Sequence, residues 1–150
     1  AGFIAHHTIR HLLQNTDWEI VSLDRLDYSG NLNRIADMMT EFDRETQKRV
    51  RIVYHDLRAE INQMLSADLG DFDYIIHMAA SSHVDRSIED PMTFVLDNVV
   101  ATCNILNFAR KNSNLERFIY FSSELLRCFF HHNPHCKIIY KNTTNIVSSR

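Results

Sequence analysis

Short runs rich in Val, Ile, Phe and Tyr alternate along this chain with segments whose apolar residues recur at helical spacing. The runs predict β-strands, because they are brief, end in polar or small residues, and favour β-branched and aromatic side chains. The predicted strands are Trp18–Asp24, Arg49–Asp56, Phe72–Ala80 and Arg117–Ser123. Strands separated by helices need crossover connections, so the sequence predicts an α/β domain with a doubly wound parallel sheet.

The clearest predicted helix begins after Asp90, which is placed as the N-cap, with Pro91 at the first helical position. Two further patterns predict helices nearer the N-terminus and the middle of the chain. The residues at helical spacing are Val95, Val99, Thr102, Leu106 and Ala109 in the clearest helix, Ile4, Ile9, Leu12 and Leu13 in the first, and Ile61, Met64 and Leu65 in the second.

Composition limits the classes of protein to which the chain can belong. Its 150 residues are 45% hydrophobic and 23% charged, which predicts one soluble globular domain with a single core. A net charge of −3 gives no basic field for nucleic acid, and we expect no apolar run long enough to span a bilayer. Three cysteines without framework spacing suit a reducing compartment, so we expect a cytoplasmic protein without nucleic-acid or membrane partners.

Ligands of doubly wound sheets bind at the carboxyl ends of the strands, so polar residues at strand ends are candidate site residues. Asp24 closes the first predicted strand, about 20 residues after Gly2, a spacing at which a carboxylate accepts both ribose hydroxyls of NAD. Asp24 could equally cap a turn that continues through Ser29, Gly30 and Asn31. The spacing alone leaves both interpretations open.

The segment YIIHMAASSHVDRSIEDP, Tyr74 to Pro91, starts as an apolar strand and passes into serines, a histidine and charged residues without a glycine. A plain connector would use Gly, Asn and Pro to turn the chain, so this polar stretch is a second candidate site. For His77 a role as a hydrogen-bonded core residue is favoured over catalysis, and Asp85 and Arg86 are expected to pair and hold the loop.

Several segments of the chain resemble the extended short-chain dehydrogenases/reductases, and among them the nucleotide-sugar 4,6-dehydratase family, in particular its dTDP-glucose branch. The segments are AGFIA, LDRLDYSGNL, HDLR, HMAASSHVDRSIEDP, DNVVATCNIL and RFIYFSS, which together extend from Gly2 to Ser123. The resemblance implies a Rossmann-like sheet and NAD as cofactor. The sequence begins inside the family's GxxGxxG fingerprint, with Ala5 at the third glycine position. We therefore expect a sheet without its first strand, in which the second and fourth strands stand apart or pair directly.

The same resemblance implies the role of each cofactor residue. Those expected around the adenosine ribose are Asp24, Arg25, Asp27 and Gly30. Those expected at the adenine edge are Asp56 and Leu57, and those at the pyrophosphate are Gly2, Phe3 and Ile4. Met78, Ala79 and Ala80 are expected to let the backbone approach the cofactor, Ser82 to face the nicotinamide end and the sugar, and Asn98 to lie near the cofactor.

The family's reaction oxidises a nucleotide sugar with NAD, eliminates water across C5 and C6, and returns the hydride. Here Ser123 is expected to be catalytic and to contact the sugar, with its hydroxyl in place of the family's Thr hydroxyl. Glu124 offers one catalytic carboxylate, while the second carboxylate of the family is missing. No Tyr-x-x-x-Lys pair occurs, since Tyr120 is followed four residues later by Glu124 and Tyr140 by Thr144. We therefore expect this chain to lack turnover by itself.

Beyond about Leu125 the resemblance ends, so the predicted organisation is a partial NAD-binding domain over residues 1–124 and an unrelated tail over 125–150. The tail gathers Cys128, His131, His132, His135 and Cys136. Pro134 interrupts this group and no second half is present, so no metal site is predicted. Relatives commonly form homodimers through the helix that matches Pro91–Lys111. The alternative functions are a non-catalytic dinucleotide-binding sensor or scaffold, and an epimerase or decarboxylase on the same scaffold.

Overall fold

Five strands, each parallel to its neighbours in the same sheet, form the framework of the computed structural model, which describes residues 1–27, 30–82, 84–122 and 136–140. The strands are β1 (Ile20–Asp24), β2 (Val50–Tyr54), β3 (Tyr74–His77), β4 (Arg117–Ser122) and β5 (Cys136–Tyr140). The four predicted strands are confirmed with somewhat shorter bounds. β5 was not predicted, because the sequence after residue 124 carries no family resemblance.

The strands belong to two sheets. β1 pairs with β2 in a parallel register that sets Ile20 opposite Val50, and β4 lies between β3 and β5 in the second sheet. Within the described residues β1 and β3 are in separate sheets, and the chain before Trp18 contributes a helix. This arrangement confirms the prediction that the second and fourth strands of the family's sheet stand apart.

The helices are α1 (Phe3–Asn15), α2 (Leu32–Met39), α3 (Arg44–Lys48), α4 (Gln63–Leu69), α5 (Val84–Glu89), α6 (Pro91–Val95) and α7 (Ala101–Ala109), with a π-helical turn at Leu96–Val100. Side chains cap the N-termini of several of these helices. The side chain of Asp90 accepts a hydrogen bond from the Thr93 N–H at 3.1 Å, which confirms Asp90 as the N-cap before Pro91.

A π-helical turn joins α6 to α7 in one long helix. Val95 and Val99, predicted to face the core, are 47% and 41% exposed. Asp97 and Asn98 are buried instead. The prediction counted apolar residues alone as core-facing, whereas the buried Asn98 stands in regular helical spacing with the buried Ala101, Ile105 and Phe108. The predicted apolar face was therefore wrong in its first half.

The continuous helix Pro91–Ala109 also corrects the expectation that no apolar run approaches the length of a membrane span. By length and composition it could cross a bilayer, although a core helix of a folded domain passes the same test. In this fold its second half packs Ile105, Phe108 and Ala109 into the core.

Buried apolar side chains form two clusters, where a single core had been expected. The larger cluster includes Ile105, Phe108 and Phe118, and partly buried residues of both sheets, such as Val21 and Ile75, pack against it. The smaller cluster consists of Ala1, Ile9, Leu13, Ile35 and Met38. The two sheets are also joined by an aromatic stack, in which the rings of Trp18 and Tyr74 lie 4.6 Å apart between centroids.

Candidate functional site

The carboxyl ends of β1, β2 and β3 carry most of the predicted cofactor residues. β1 ends at Asp24, β2 is followed by Asp56, and β3 is followed by the segment that contains Ser82. The His55 N–H donates to the Asp24 carbonyl at 3.1 Å, which ties the end of β2 to that of β1. β3 belongs to the other sheet, and the loop after it is linked to the end of β1 by Asp97, which contacts both Arg25 and Ser81. Ligands of doubly wound sheets bind at such strand ends.

Asp24 is held from two sides. Its Oδ1 accepts a hydrogen bond from the Leu26 N–H at 2.7 Å, and its Oδ2 accepts one from the backbone nitrogen of Ala1 at 2.9 Å. Leu26 has a positive φ of 54°, so the chain turns sharply directly after the strand. The Asp24 side chain therefore caps the turn after β1, and its contact with Ala1 holds the carboxylate beside the start of α1.

Arg25 is bound by two carboxylates. Its Nη1 and Nη2 donate to the two oxygens of Asp97 at 2.5 and 2.9 Å, a bidentate pair, while its Nε and Nη2 donate to Oδ2 of Asp27 at 2.9 and 2.7 Å. Hydrogen bonding to Asp97, opposed by burial and reinforced by Asp27, raises the pKa of Arg25 further above its usual value. The guanidinium is therefore a permanent cation with four of its five N–H groups bound to carboxylates.

Asp97 and Asn98 lie in the buried π-helical turn and bind the loop after β3. The Ser81 hydroxyl donates to Oδ2 of Asp97 at 2.7 Å. The Ser81 N–H donates to Oδ1 of Asn98 at 2.8 Å, and Nδ2 of Asn98 donates back to the Ser81 carbonyl at 2.9 Å. Burial opposes the ionisation of Asp97, but the hydrogen bonds from Arg25 and Ser81 prevail and leave the pKa of Asp97 below its usual range.

The loop after β2 joins the same group of side chains. Arg58 donates to Oδ2 of Asp56 through Nη2 at 2.5 Å, and this bond is the main cause of a lowered pKa for Asp56. The Nε of Arg58 lies 4.0 Å from Oδ1 of Asp97. Leu57 packs against the larger core cluster, and its carbonyl accepts a hydrogen bond from Nδ2 of Asn104 at 2.8 Å.

Gly2, Phe3 and Ile4 form the start of α1. Gly2 is the N-cap and supplies no side chain, so no side-chain cap satisfies the first N–H groups of the helix. Phe3 and Ile4 are 69% and 53% exposed. This is an open helix N-terminus of the kind that can receive a phosphate group.

Among the predicted residues after β3, Met78 is half-buried, whereas Ala79, Ala80 and Ser82 are exposed. The two predicted catalytic residues, Ser123 and Glu124, lie outside the described residues. The structure thus brings together Asp24, Arg25, Asp27, Asp56 and Asn98 through Asp97 and the neighbouring strand ends.

Three residues of this group were missed from the sequence: Arg58, Ser81 and Asp97. For Asp97 a signal existed, because it is the lone charged residue in a mainly apolar stretch that begins at Met92. A charged residue in a core helix is rarely buried without a partner, so its position predicted a buried cation nearby.

His77 is a core residue, as predicted. It is 3% exposed, its Nε2 lies 3.0 Å from Oγ1 of Thr102, and its ring stacks on that of Tyr120 with centroids 5.2 Å apart. The Thr102 hydroxyl donates to the Asn98 carbonyl at 2.6 Å, so it accepts from Nε2–H of a neutral His77. Desolvation by burial lowers the pKa of His77 to about 4.

Potential metal ligands and surface clefts outside this group complete the description of the candidate sites. No cluster of three potential metal ligands occurs among the described residues, and of the Cys and His residues in the tail only the backbone of Cys136 is described. A shallow cleft lined by Ser66, Gly70 and Asp71 lies near the amino-terminal end of β3, opposite the strand ends described above.

Comparison with known proteins places this arrangement in a family. Residues 1–126 match the family described as GDP-mannose 4,6 dehydratase. The dTDP-glucose 4,6-dehydratase of Salmonella typhimurium is 36% identical over 113 residues, which cover 74% of this chain and 29% of that protein. The dTDP-glucose 4,6-dehydratase of Neisseria gonorrhoeae is 37% identical over 110 residues, or 73% of this chain and 30% of that protein. The chain therefore spans less than a third of the length of these relatives.

Solved structures of the same kinds of enzyme are similar to this chain in fold and in sequence. The DesIV dTDP-glucose 4,6-dehydratase of Streptomyces venezuelae, a double mutant with NAD and DAU bound, has a TM-score of 0.68 and 34% identity, covering 82% of this chain and 37% of that one. The UDP-glucose 4-epimerase of Bifidobacterium longum, in complex with NAD+ and UDP, has a TM-score of 0.68 and 27% identity, covering 83% of this chain and 35% of that one.

Proposed function

Because this chain belongs to the GDP-mannose 4,6-dehydratase family of extended short-chain dehydrogenases/reductases, we propose that it carries part of the NAD site of a nucleotide-sugar 4,6-dehydratase. The observation that supports the proposal is that Asp24, Asp56 and the Asn98-bound Ser81 loop follow the carboxyl ends of β1, β2 and β3 and are linked through Arg25 and Asp97. Doubly wound sheets bind dinucleotides at such strand ends.

The described residues fit NAD in charge and in shape. Asp24 carries the carboxylate that would accept the ribose hydroxyls, and Gly30 beside it leaves room for that carboxylate. The uncapped N-terminus of α1 at Gly2 offers backbone N–H groups to the pyrophosphate. Asp56 and Leu57 follow β2 where the adenine would lie, and the exposed Ala79 and Ala80 give the cofactor access to backbone. NAD would supply reversible hydride transfer at the sugar.

For the substrate we propose a dTDP-sugar of the dTDP-glucose class, on the strength of the relatives' names. Ser82 and Ser123 would face the sugar, and Glu124 would supply one of the two carboxylates that water elimination needs. The 150-residue sequence contains no Tyr-x-x-x-Lys pair to remove a proton during hydride transfer. We therefore expect NAD binding without turnover from residues 1–150 alone.

A second candidate is a dinucleotide-binding module without catalysis, which would use the same strand-end residues. Epimerases on the same scaffold are a third, since solved epimerases match the fold. Both share the NAD site with the first proposal and differ in the fate of the sugar. Residues 1–124 would form the NAD-binding part in each case and residues 125–150 a separate tail. We also propose a cytoplasmic location, with which the free thiol of Cys103 is compatible.

We further propose homodimerisation through the outer face of the α6–α7 helix. Met92, Val95 and Val99 lie along this face and are 65%, 47% and 41% exposed, and Ile88 on the preceding helix is 76% exposed. Apolar side chains aligned on one helix face are typical of helix-to-helix contacts between subunits.

Calorimetric titration of the chain with NAD tests the proposed cofactor site. We expect Asp24→Ala to weaken NAD binding about tenfold or more. Hydrogen bonds from uncharged ribose hydroxyls to a carboxylate contribute on the order of 1.5–3 kcal/mol to the binding free energy. Asp68→Ala is the matched control, since Asp68 is an exposed carboxylate paired with Arg51 on the surface. Circular dichroism establishes that both variants fold.

Absence of NAD binding by the folded parent chain would overturn the proposal. Incubation with dTDP-glucose and NAD, followed by detection of a 4-keto-6-deoxy product, distinguishes the candidates. Product formation would show an active dehydratase and contradict the expectation of no turnover, whereas NAD binding without product agrees with it.

A further inference from the structure

We propose that Asp97 determines the preference between NAD and NADP, by neutralising the arginine that adjoins the ribose-binding carboxylate. The inference rests on the proposed function, in which Asp24 holds the adenosine ribose. It assigns a role to a buried residue for which neither the strand-end pattern nor the family resemblance predicted one.

Arg25 stands in the position of a 2′-phosphate receptor, because it directly follows Asp24 at the end of β1. An arginine near the ribose is the group with which dinucleotide sites accommodate the extra phosphate of NADP. The sequence alone therefore contains a carboxylate that favours NAD and a cation that favours NADP, side by side. Which of them prevails depends on whether the guanidinium is free.

In the structure the guanidinium is engaged. Four of its N–H donor contacts are made with Asp97 and Asp27, at distances from 2.5 to 2.9 Å. Two carboxylates around one guanidinium leave a net negative charge, so a 2′-phosphate approaching Arg25 would meet repulsion from Asp97, Asp27 and Asp24 together. Binding NADP through Arg25 would first require breaking the bidentate pair.

Of the two carboxylates that bind Arg25, Asp97 is the more buried and the more tightly held. Its side chain is 5% exposed, against 26% for Asp27, and it lies in a helix packed on the core, where the Ser81 hydroxyl also binds it. Asp27 belongs to the turn after β1. Asp97 also has Arg58 at 4.0 Å, but Arg58 is 41% exposed and already paired with Asp56. A buried, hydrogen-bonded carboxylate holds its partner more strongly than an exposed one.

The test is a comparison of NAD and NADP affinities, measured by calorimetry on the 150-residue chain. For Asp97→Asn, we expect the affinity for NADP relative to NAD to rise at least about tenfold, because a released Arg25 can make charge-assisted bonds to a 2′-phosphate. Asp27→Asn is the matched control and should change the ratio less. Adding Arg25→Ala to Asp97→Asn should abolish the gain. A purely structural role for Asp97 would weaken both cofactors alike and leave the ratio unchanged.

Asp97→Ser provides a second arm that does not depend on the folding of Asp97→Asn. Serine also leaves Arg25 without its bidentate carboxylate partner, so this variant should raise the affinity for NADP relative to NAD by a similar factor. An unchanged ratio in folded Asp97→Asn or in folded Asp97→Ser would overturn the inference. Either result with NAD still bound leaves the proposed function intact, whereas a parent chain that binds neither cofactor overturns both.

Discussion

Oδ1 of Asp24 lies 2.9 Å from the point that a Cβ atom on residue 30 would occupy, and the Cα of Leu26 lies 3.0 Å from the same point. Gly30 is therefore required by close approach, because any other residue would press a methyl group against a carboxylate and a backbone atom. The relationship links a turn residue to the carboxylate that the proposed NAD site depends on.

Replacing Gly30 with Ala should destabilise the chain by about 1–3 kcal/mol and weaken NAD binding, since the new methyl group displaces the Asp24 carboxylate or the turn. Thermal or urea unfolding measures the first effect and calorimetry the second. A double-mutant cycle with Asp24→Ala isolates the contact, because removing the carboxylate should relieve part of the cost of Gly30→Ala. Strictly additive effects in this cycle would show that the methyl group clashes elsewhere.

His77 gives a prediction for the dependence of stability on pH. Its pKa in the folded chain is about 4, below the usual 6.5, so the unfolded chain binds more protons between these two values. Burial of the neutral His77 imidazole contributes its full share of the unfolding free energy above about pH 6.5. This contribution is lost as the pH falls towards 4. The expected loss is about 3 kcal/mol.

Urea unfolding of the parent and of His77→Gln, at several pH values between 7 and 4, checks this prediction. Glutamine retains an N–H donor for Thr102 but does not titrate in this range. The difference in unfolding free energy between parent and variant should therefore shrink as the pH falls. Parallel pH profiles for the two proteins would contradict the assignment of His77 as the titrating group.

The fold could be predicted from the sequence where local pattern and tertiary packing agree. The four strands and the Asp90 N-cap with Pro91 are such places, since periodicity and capping chemistry are properties of neighbouring residues. The inward face of the long helix was mispredicted at Val95 and Val99, because the polar side chains of Asp97 and Asn98 are buried instead, through contacts with Arg25 and Ser81. β5 was missed because its sequence carries no recognised segment.

The candidate site was predictable in its parts but not in its connections. Asp24, Asp56 and Asn98 could be named from spacing and resemblance, since each follows a strand end or lies on the expected helix face. The pairing of Arg25 with Asp97 joins positions 72 residues apart and has no local signature. The structure also settles which way Arg25 is engaged, a question that the adjacent Asp24 and Arg25 leave open in the sequence.

The exposed apolar face of the α6–α7 helix predicts an effect on association. We expect Val95→Glu with Val99→Glu to shift the chain from dimer to monomer in sedimentation velocity runs, because two charges would be buried at the contact. Met64→Glu is the control, since Met64 is 83% exposed but lies on α4. An unchanged sedimentation coefficient in the double variant, or a monomeric parent, would contradict the proposed dimer.

Asn98 is expected to fix the loop after β3 through its two hydrogen bonds to the Ser81 backbone, at 2.8 and 2.9 Å. Removing both in Asn98→Ala would leave a partly buried N–H and C=O without these partners, at a cost of about 1–3 kcal/mol. Hydrogen exchange measured residue by residue should show the Ser81 amide losing protection. NAD affinity should fall with it, because the loop carries Ala79, Ala80 and Ser82.

Asn104→Ala provides the matched control for this prediction. Its side-chain amide donates to the carbonyls of Leu57 and Arg58 at 2.8 and 3.1 Å, so it binds the loop after β2 in a similar way. Exchange should then change near Leu57 and leave the Ser81 amide as in the parent. If Asn98→Ala left Ser81 protected, or if both variants exposed it equally, the loop after β3 would owe its position to other contacts, foremost the bond between the Ser81 hydroxyl and Asp97.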